Sequence, residues 1–161
     1  DKKLAEEVAK MYWQKALRGQ DKKGEKTSTI ADIVKLYLEY ARQYYRKPDG
    51  TITSEVNNIE NTTAILTEHY GTENPDEFNP LMLKELRKRM IEKGWCRGVI
   101  NQRTATIKRM FKWAVSEMYV SSATFQAINT VAGLRKGRTG ARETEDVKPV
   151  PVENTIEKEA I

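Results

Sequence analysis

Residues 97–118 read RGVINQRTATIKRMFKWAVSEM, and this stretch is the main determinant of the fold. Its apolar residues recur at helical spacing, and they are Ile100, Ile107, Phe111, Ala114 and Met118, with Thr104 as the one interruption. A period of this kind predicts an amphipathic helix over residues 97–118, whose apolar seam packs against a core.

A polar stripe lies about a quarter turn from this seam, at roughly 100° per residue. Its members are Asn101, Ala105, Lys108 and Lys112. Arg97 lies near the stripe at the start of the helix, and Arg109 lies further round. Lys and Arg neutralise phosphates and Asn reads base edges, so the stripe predicts a nucleic-acid contact. A solvated helix face is the alternative interpretation, although such faces normally mix both signs of charge.

Basic residues continue beyond this helix. Residues 96–142 contain one acid, Glu117, and nine basic residues, which are Arg97, Arg103, Lys108, Arg109, Lys112, Arg135, Lys136, Arg138 and Arg142. Residues 143–161 contain six acids and two lysines, in a chain with a net charge of +5. A positive surface field of this kind attracts phosphate groups.

Helical spacing also occurs at residues 4–17, 30–44, 54–70, 80–93 and 122–131. Thr29 and Asn79 are expected N-caps, and Pro80 suits the first position of a helix. Gly71 and Gly94 are expected just past helix ends. Residues 4–17 either pack on the domain or form a frayed lead-in. Because no strand alternation occurs, we predict an all-α protein, a compact bundle of four or five helices followed by a basic linker and an acidic C-terminal tail.

The bulk properties exclude several classes of protein. A chain of 161 residues allows one ordinary domain with a tail. No apolar run approaches the roughly 20 residues of a membrane span, and no signal-peptide pattern opens the chain. Cys96 is the lone cysteine, so we expect no disulfide and a cytoplasmic location. There is no Cys/His ligand cluster and no Walker loop, so we expect neither a metal nor a cofactor.

The start of the 54–70 helix is a second candidate surface. Its polar residues are Thr53, Ser54, Asn57, Asn58 and Asn61, with Glu55 and Glu60 as the nearby acids. Asn is a mediocre helix former, so this cluster favours a surface role. Capping and solubility explain the same pattern equally well.

Residues 100–103 read INQR, residues 107–115 read IKRMFKWAV, and Val120 follows. This run resembles the TINR…IKRMFKWAV…V segment of phage-type integrases, the tyrosine recombinases, in their N-terminal core-binding (SAM-like) domain. Residues 133–138 resemble the linker that joins that domain to the catalytic domain. The likeness covers about residues 29–151, and we expect the chain to be a fragment of a longer recombinase.

The resemblance implies three regions: an N-terminal helix and polar lead-in (1–26), the core-binding domain (27–134), and the linker with the start of a truncated catalytic domain (135–161). It further implies half of a clamp around double-stranded DNA, in which two helix starts enter the major groove and the linker crosses the backbone. The implied partners besides DNA are the catalytic domain of the same parent chain and other recombinase protomers in a synaptic complex.

Candidate DNA-binding residues combine this mapping with the basic residues: Thr53, Ser54, Asn57, Asn58, Arg97, Asn101, Arg103, Lys108, Arg109, Lys112, Arg135, Lys136, Arg138 and Arg142. The helix wheel places Arg103 away from the Lys108 stripe, toward the fold or the lip of a groove. The family often has Ser or Thr before Arg97, where this chain has Trp95-Cys96, and this removes a capping hydroxyl.

Catalytic residues of the family are missing from this chain. The family's reaction needs a Tyr nucleophile with two Arg, a Lys and a His or Trp around the phosphate. His69 leads no His-x-x-Arg box, and Tyr37, Tyr44 and Tyr70 lie at core spacing. Residues 139–145 match a T-G-x-R-x-x-E pattern, but a basic run precedes them where an apolar helix is required, so Arg142 is assigned to the linker. We expect a non-enzymatic fragment.

The prediction is therefore DNA binding by the core-binding domain of a site-specific recombinase that acts in DNA integration and recombination. One alternative is a transcription regulator of helix-turn-helix type, which needs two helices joined by a turn of three to four residues. The junction at Gly94 is the nearby candidate for such a turn. Another alternative is a helical scaffold whose basic stripe binds an acidic protein partner.

Overall fold

The computed structural model describes residues 2–17 and 29–144. Within them the chain forms α1 (Lys2–Leu17), α2 (Ile30–Tyr44), α3 (Ser54–Tyr70), α4 (Pro80–Glu92), α5 (Arg97–Ser116) and α6 (Ser122–Asn129), with a 3-10 turn at Pro75–Glu77. These residues contain no strand, so the prediction of an all-α protein is confirmed. The predicted polar break at 19–26 and residues 145–161 of the acidic tail lie outside the described residues.

α1 differs from the other helices in its burial. The side chains of residues 2–11 are all exposed, including the apolar Leu4, Val8 and Met11. The expected helix is present, but these side chains contribute nothing to the core.

α5 is the centre of the bundle, because α2, α3, α4 and α6 all pack against it. Its buried side chains are Ile100, Thr104, Thr106, Ile107, Met110, Phe111 and Ala114. Phe111 stacks on Phe78 with ring centroids 5.0 Å apart. Thr104 is buried too, and its hydroxyl donates to the Ile100 carbonyl at 2.8 Å, so the one polar interruption of the seam is satisfied. The predicted seam is confirmed as far as Ala114.

The neighbouring helices supply the rest of the core. Their fully buried apolar side chains include Ile30, Ile33, Tyr37, Ile59, Leu66, Leu83, Leu86 and Met90. Burial raises the pKa of Tyr37 to about 12, with the Arg109 charge opposing the rise. Tyr44, for which the spacing predicts a core position, is exposed. It is the last residue of α2, and its ring stacks on Tyr40 with centroids 5.3 Å apart instead of entering the core.

Two predicted N-caps are confirmed. The Thr29 hydroxyl accepts the Asp32 N–H at 3.3 Å, and the Asp32 carboxylate accepts the Thr29 N–H at 3.2 Å, which completes a capping box. The Asn79 side chain accepts the Met82 N–H at 3.0 Å, and Pro80 occupies the first position of α4. These caps fix where α2 and α4 enter the bundle.

α4 and α5 end with the same backbone motif. At the end of α4, Gly94 has φ +85°, and the Trp95 N–H reaches back to the Met90 carbonyl at 3.2 Å. At the end of α5, Met118 has φ +64°, and the Tyr119 N–H reaches back to the Ala114 carbonyl at 2.9 Å. Both are Schellman closures with a left-handed residue. α5 therefore ends at Ser116, two residues before the predicted end.

We expect Gly94→Ala to lower the free energy of unfolding by about 1–2 kcal/mol, because a Cβ disfavours the left-handed backbone. Gly98→Ala is the matched control, since Gly98 lies in α5 without positive φ and a methyl group there would meet nothing within 4 Å. That change is expected to raise stability by about 0.5 kcal/mol. Urea denaturation measures both, and equal effects of the two changes would contradict the assigned turn.

Candidate nucleic-acid interface

Five exposed residues form a strip along the solvent-facing side of α5 as far as Lys112. Gly98, Gln102, Ala105, Arg109 and Lys112 follow at spacings of four, three, four and three, and all five are exposed. We call this strip the outward face. It carries two cations, one amide and two small residues, and no acid. Because Gly98 has no side chain and Ala105 has only a methyl group, a partner surface can approach the helix backbone closely at these positions.

α3 borders the outward face on one side. Between α3 and α5 lies an open groove of about 450 Å³, lined by Glu55, Asn58, Gln102, Arg103, Ala105, Thr106 and Arg109. Two arginines of α5 cross to α3 at this groove. Arg103 donates from Nη1 to the Asn58 carbonyl at 2.6 Å, and Arg109 donates from Nη2 to Glu55 Oε1 at 2.5 Å.

Arg103 and Arg109 are also held by aromatic rings. The Arg103 guanidinium lies 5.7 Å from the Trp95 ring centroid, and that of Arg109 lies 5.5 Å from the Tyr45 centroid. Both arginines therefore join α5 to its neighbours and line the groove at the same time, as the helix wheel predicted for Arg103. The Glu55 carboxylate, which is 33% exposed, forms a salt bridge with Arg109 and partly neutralises its charge.

A second border is formed by residues 131–143, which we call the anchored segment. Asn101 fastens it to α5 with both halves of its amide: Nδ2 donates to the Leu134 carbonyl at 3.0 Å, and Oδ1 accepts the Leu134 N–H at 2.8 Å. Lys108 donates from Nζ to the Val131 carbonyl at 2.5 Å. Arg87 of α4 donates to the Ala132 carbonyl at 2.6 Å. Four polar groups of one short stretch of backbone are thus satisfied by side chains.

These contacts correct the predicted polar stripe. Asn101 and Lys108 do not lie on an open surface, because the anchored segment covers that flank of α5. Burial and the nearby Arg87 charge lower the pKa of Lys108, as expected for a cation enclosed by backbone. Of the stripe, Ala105 and Lys112 remain exposed, and both belong to the outward face.

The anchored segment returns to the start of α5. Ala141 is buried, and Arg142 pairs with Cys96 in an isolated parallel bridge. The Arg142 carbonyl accepts the first N–H of α5, from Arg97, at 2.9 Å, while its side chain donates from Nε to the Gly94 carbonyl at 2.7 Å. This backbone contact takes the place of a side-chain cap, since Cys96 makes no cap bond. Arg142 therefore joins the end of the anchored segment to the start of α5 and to the turn at Gly94.

Between its two attachments the anchored segment carries a basic loop, residues 135–138. Arg135, Lys136 and Arg138 are exposed there, and the Arg138 N–H closes the turn on the Arg135 carbonyl at 3.1 Å. Gly137 takes φ +77°, which suits a glycine. Leu134 and Ala141 hold this loop beside the N-terminal end of α5.

The polar start of α3 is solvent-facing. Ser54, Asn57 and Asn58 are exposed, and the Asn58 amide lies 3.5 Å from Glu55 Oε2. Thr53 is the N-cap of α3 but makes no side-chain cap bond, and its hydroxyl oxygen is buried without a partner. Asn58 thus lines the α3–α5 groove, on the side opposite the anchored segment, while Asn57 is exposed on α3 outside the groove lining.

Three residues of this region were missed by sequence reasoning. Gly98 and Gln102 belong to the outward face. They precede Ala105 at spacings of four and three residues, and this helical spacing could have identified them from the sequence. Arg87 has no such signal, because its role depends on where α4 places it against Ala132.

None of the helices in residues 2–17 and 29–144 is long and apolar enough to span a bilayer. In the same residues no three His, Cys, Asp or Glu side chains gather around a common point as metal ligands would. Comparison with protein-family models, with the curated proteins and with the solved structures found no match.

We expect Asn101→Ala to lower the free energy of unfolding by about 1–3 kcal/mol, because it unpairs both polar groups of Leu134. Amide hydrogen exchange at Leu134 should accelerate at the same time. Asn57→Ala is the control, since Asn57 is exposed, and its effect should stay within about 0.5 kcal/mol. Unchanged exchange at Leu134 in the Asn101 variant would show that the segment is held by other contacts.

Proposed function

We propose that this chain binds double-stranded DNA and places the outward face of α5 in the major groove. The observation that carries the proposal is the composition of that face: two cations, an amide and two small residues, with no acid. A helix is about 10–12 Å across, which suits a major groove about 12 Å wide. The face covers 15 residues, or about 22 Å at 1.5 Å per residue.

Phosphate contacts are assigned to two groups of exposed cations at opposite ends of α5. Lys112 and Arg109 lie toward the C-terminal half of the helix, and the basic loop with Arg135, Lys136 and Arg138 lies at its N-terminal end. A helix that crosses a groove has a phosphate backbone near each of its ends, so cations at both ends of α5 suit the two backbones that border the groove.

Base contacts are assigned to the middle of the face. Gln102 is exposed between Gly98 and Ala105, and like Asn58 it lines the groove between α3 and α5 of the protein. Gln and Asn side chains each pair with adenine through a donor and an acceptor. We therefore assign Gln102 the main role in sequence discrimination and Asn58 a secondary one.

The resemblance to tyrosine recombinases extends this proposal to DNA integration and recombination, with strand cleavage performed by a catalytic domain of the same parent chain. The five helices of residues 29–144 and the basic segment after α6 are in keeping with a core-binding domain. This assignment depends on the sequence likeness alone. The DNA contact depends on the surface described above.

A helix-turn-helix regulator is the second candidate, and one observation favours it. α4 and α5 are joined by four residues, 93–96, and Gly94 makes the turn. α5 would then be the recognition helix and would use the same outward face. Regulators of this type bind as dimers to half-sites about 34–36 Å apart. Binding of one copy to a site without two-fold symmetry would favour the recombinase assignment.

We expect the affinity for duplex DNA to fall steeply as the salt concentration rises. The double variant Lys112→Ala/Arg138→Ala should flatten the plot of log affinity against log salt concentration, by about 0.9 for each phosphate that is no longer neutralised. Lys35→Ala is the control for charge alone, since Lys35 is an exposed lysine of α2 outside the outward face. Fluorescence anisotropy at several salt concentrations measures the slopes. Equal flattening by Lys35→Ala, or preference for an acidic polypeptide over duplex, would refute the assigned surface.

Gln102→Ala is expected to reduce discrimination between a selected DNA site and its single-base variants by about 1–3 kcal/mol at one base pair. Affinity for random duplex should change little, because the amide carries no charge. Gln126→Ala in α6 is the matched control, being an exposed glutamine on another helix. Site selection from a random duplex library, followed by competition binding, gives the values. Retained discrimination in the Gln102 variant would remove this residue from base reading.

A further inference from the structure

The start of α5 carries an ion pair with the anchored segment. Arg97 donates from Nε to Glu143 Oε1 at 2.6 Å, and its Nη1 lies 3.4 Å from the Leu134 carbonyl. The two side chains are 27% and 35% exposed, so solvent reaches both. The Arg97 bond lowers the pKa of the Glu143 carboxyl, and the Lys136 charge adds to this. The Arg97–Glu143 pair therefore lies beside Leu134, two residues before Lys136 of the basic loop.

Basic residues predominate in the sequence that leads up to Glu143. Arg97 and Lys136 both belong to residues 96–142, where Glu117 is the one acid, and Glu117 lies at the far end of α5. A carboxylate and a phosphate both accept charge-assisted hydrogen bonds from a guanidinium. Glu143 thus fills the position that a backbone phosphate would take beside the basic loop.

The attachment of Glu143 differs from that of Glu55, which among the described residues is the other acid bonded to an α5 arginine. Glu55 lies on α3, so its bond to Arg109 joins two helices of the core. Glu143 instead follows Arg142, where the backbone already bonds to Arg97 through the Arg142 carbonyl. Removal of the Glu143 carboxylate from Arg97 therefore leaves that backbone attachment in place.

We propose that Arg97 and Lys136 form a backbone-phosphate site, which Glu143 fills in the free protein and leaves when duplex DNA binds. The inference rests on the proposed DNA-binding function and adds to it an internal competitor for one phosphate. The carboxylate weakens non-specific association, because every duplex must displace it before Arg97 is available. A duplex that also makes base contacts with the outward face gains enough contacts to displace the Glu143 carboxylate.

The test compares duplex binding of the full chain with that of Glu143→Gln, which keeps the shape of the side chain and removes its charge. Affinity is expected to rise by about two- to fivefold, the range for one exposed ion pair. The salt slope should steepen by about 0.9, because Arg97 is then free to neutralise one more phosphate, whose condensed counterion is released. Glu117→Gln is the control, since it removes one exposed acid at the other end of α5.

A double variant isolates the competition. In an Arg97→Ala background, Glu143→Gln should change duplex affinity no more than Glu117→Gln does. If the wild-type chain and all variants fail to bind duplex at low salt, the proposed function itself is refuted. If the wild type binds and Glu143→Gln gains no more than Glu117→Gln, the inference is overturned while the proposed function stands. Weaker binding by Glu143→Gln would also overturn it, since Glu143 would then position Arg97 for DNA.

Discussion

Burial of the α5 seam is the constraint that fixes the arrangement of the polar surface. Four helices pack against α5, and Ile100, Ile107 and Phe111 are fully buried between them. A helix held in this way cannot rotate about its axis without exposing large apolar side chains, which costs about 25 cal/mol for each Å² returned to water. The buried seam thereby sets which residues face α3, which face the anchored segment, and which form the outward face.

The basic residues of this region divide into three groups: some bond backbone carbonyls, some remain exposed to solvent, and Arg97 and Arg109 bond carboxylates. Lys108 and Arg142 donate to backbone carbonyls, and Arg103 does the same across to α3. Long cationic side chains are suited to this work, and the donors of Lys108 and Arg142 reach carbonyls that lie beyond the ends of α6 and α4. Lys112 and the basic loop at residues 135–138 remain exposed to solvent. The number of basic residues in the sequence therefore overstates the number of cationic donors that are free to bond a partner.

Internal carboxylates moderate the same surface. Glu55 is bonded to Arg109 on the α3 side, and Glu143 is bonded to Arg97 on the side of the anchored segment. Each pair is partly exposed, where an ion pair contributes little to folding stability. Their larger effect is on the field, since they lower the positive potential at both edges of an acid-free helix face. In the proposed DNA complex, the gain from each of these arginines is reduced by the carboxylate that it already holds.

The helices could be predicted from the sequence, because periodicity, N-caps and turn glycines are local signals. The buried positions of α5, the cap at Thr29 and the turn at Gly94 all follow from neighbouring residues. The exposure of Tyr44 and the early end of α5 do not, because each depends on what lies next to a helix end. The roles of the polar side chains required the packed structure: Asn101 lies one residue from Gln102, yet it bonds Leu134, 33 residues away, while Gln102 faces solvent. A contact between distant residues depends on how the helices pack, and no local pattern in the chain encodes it.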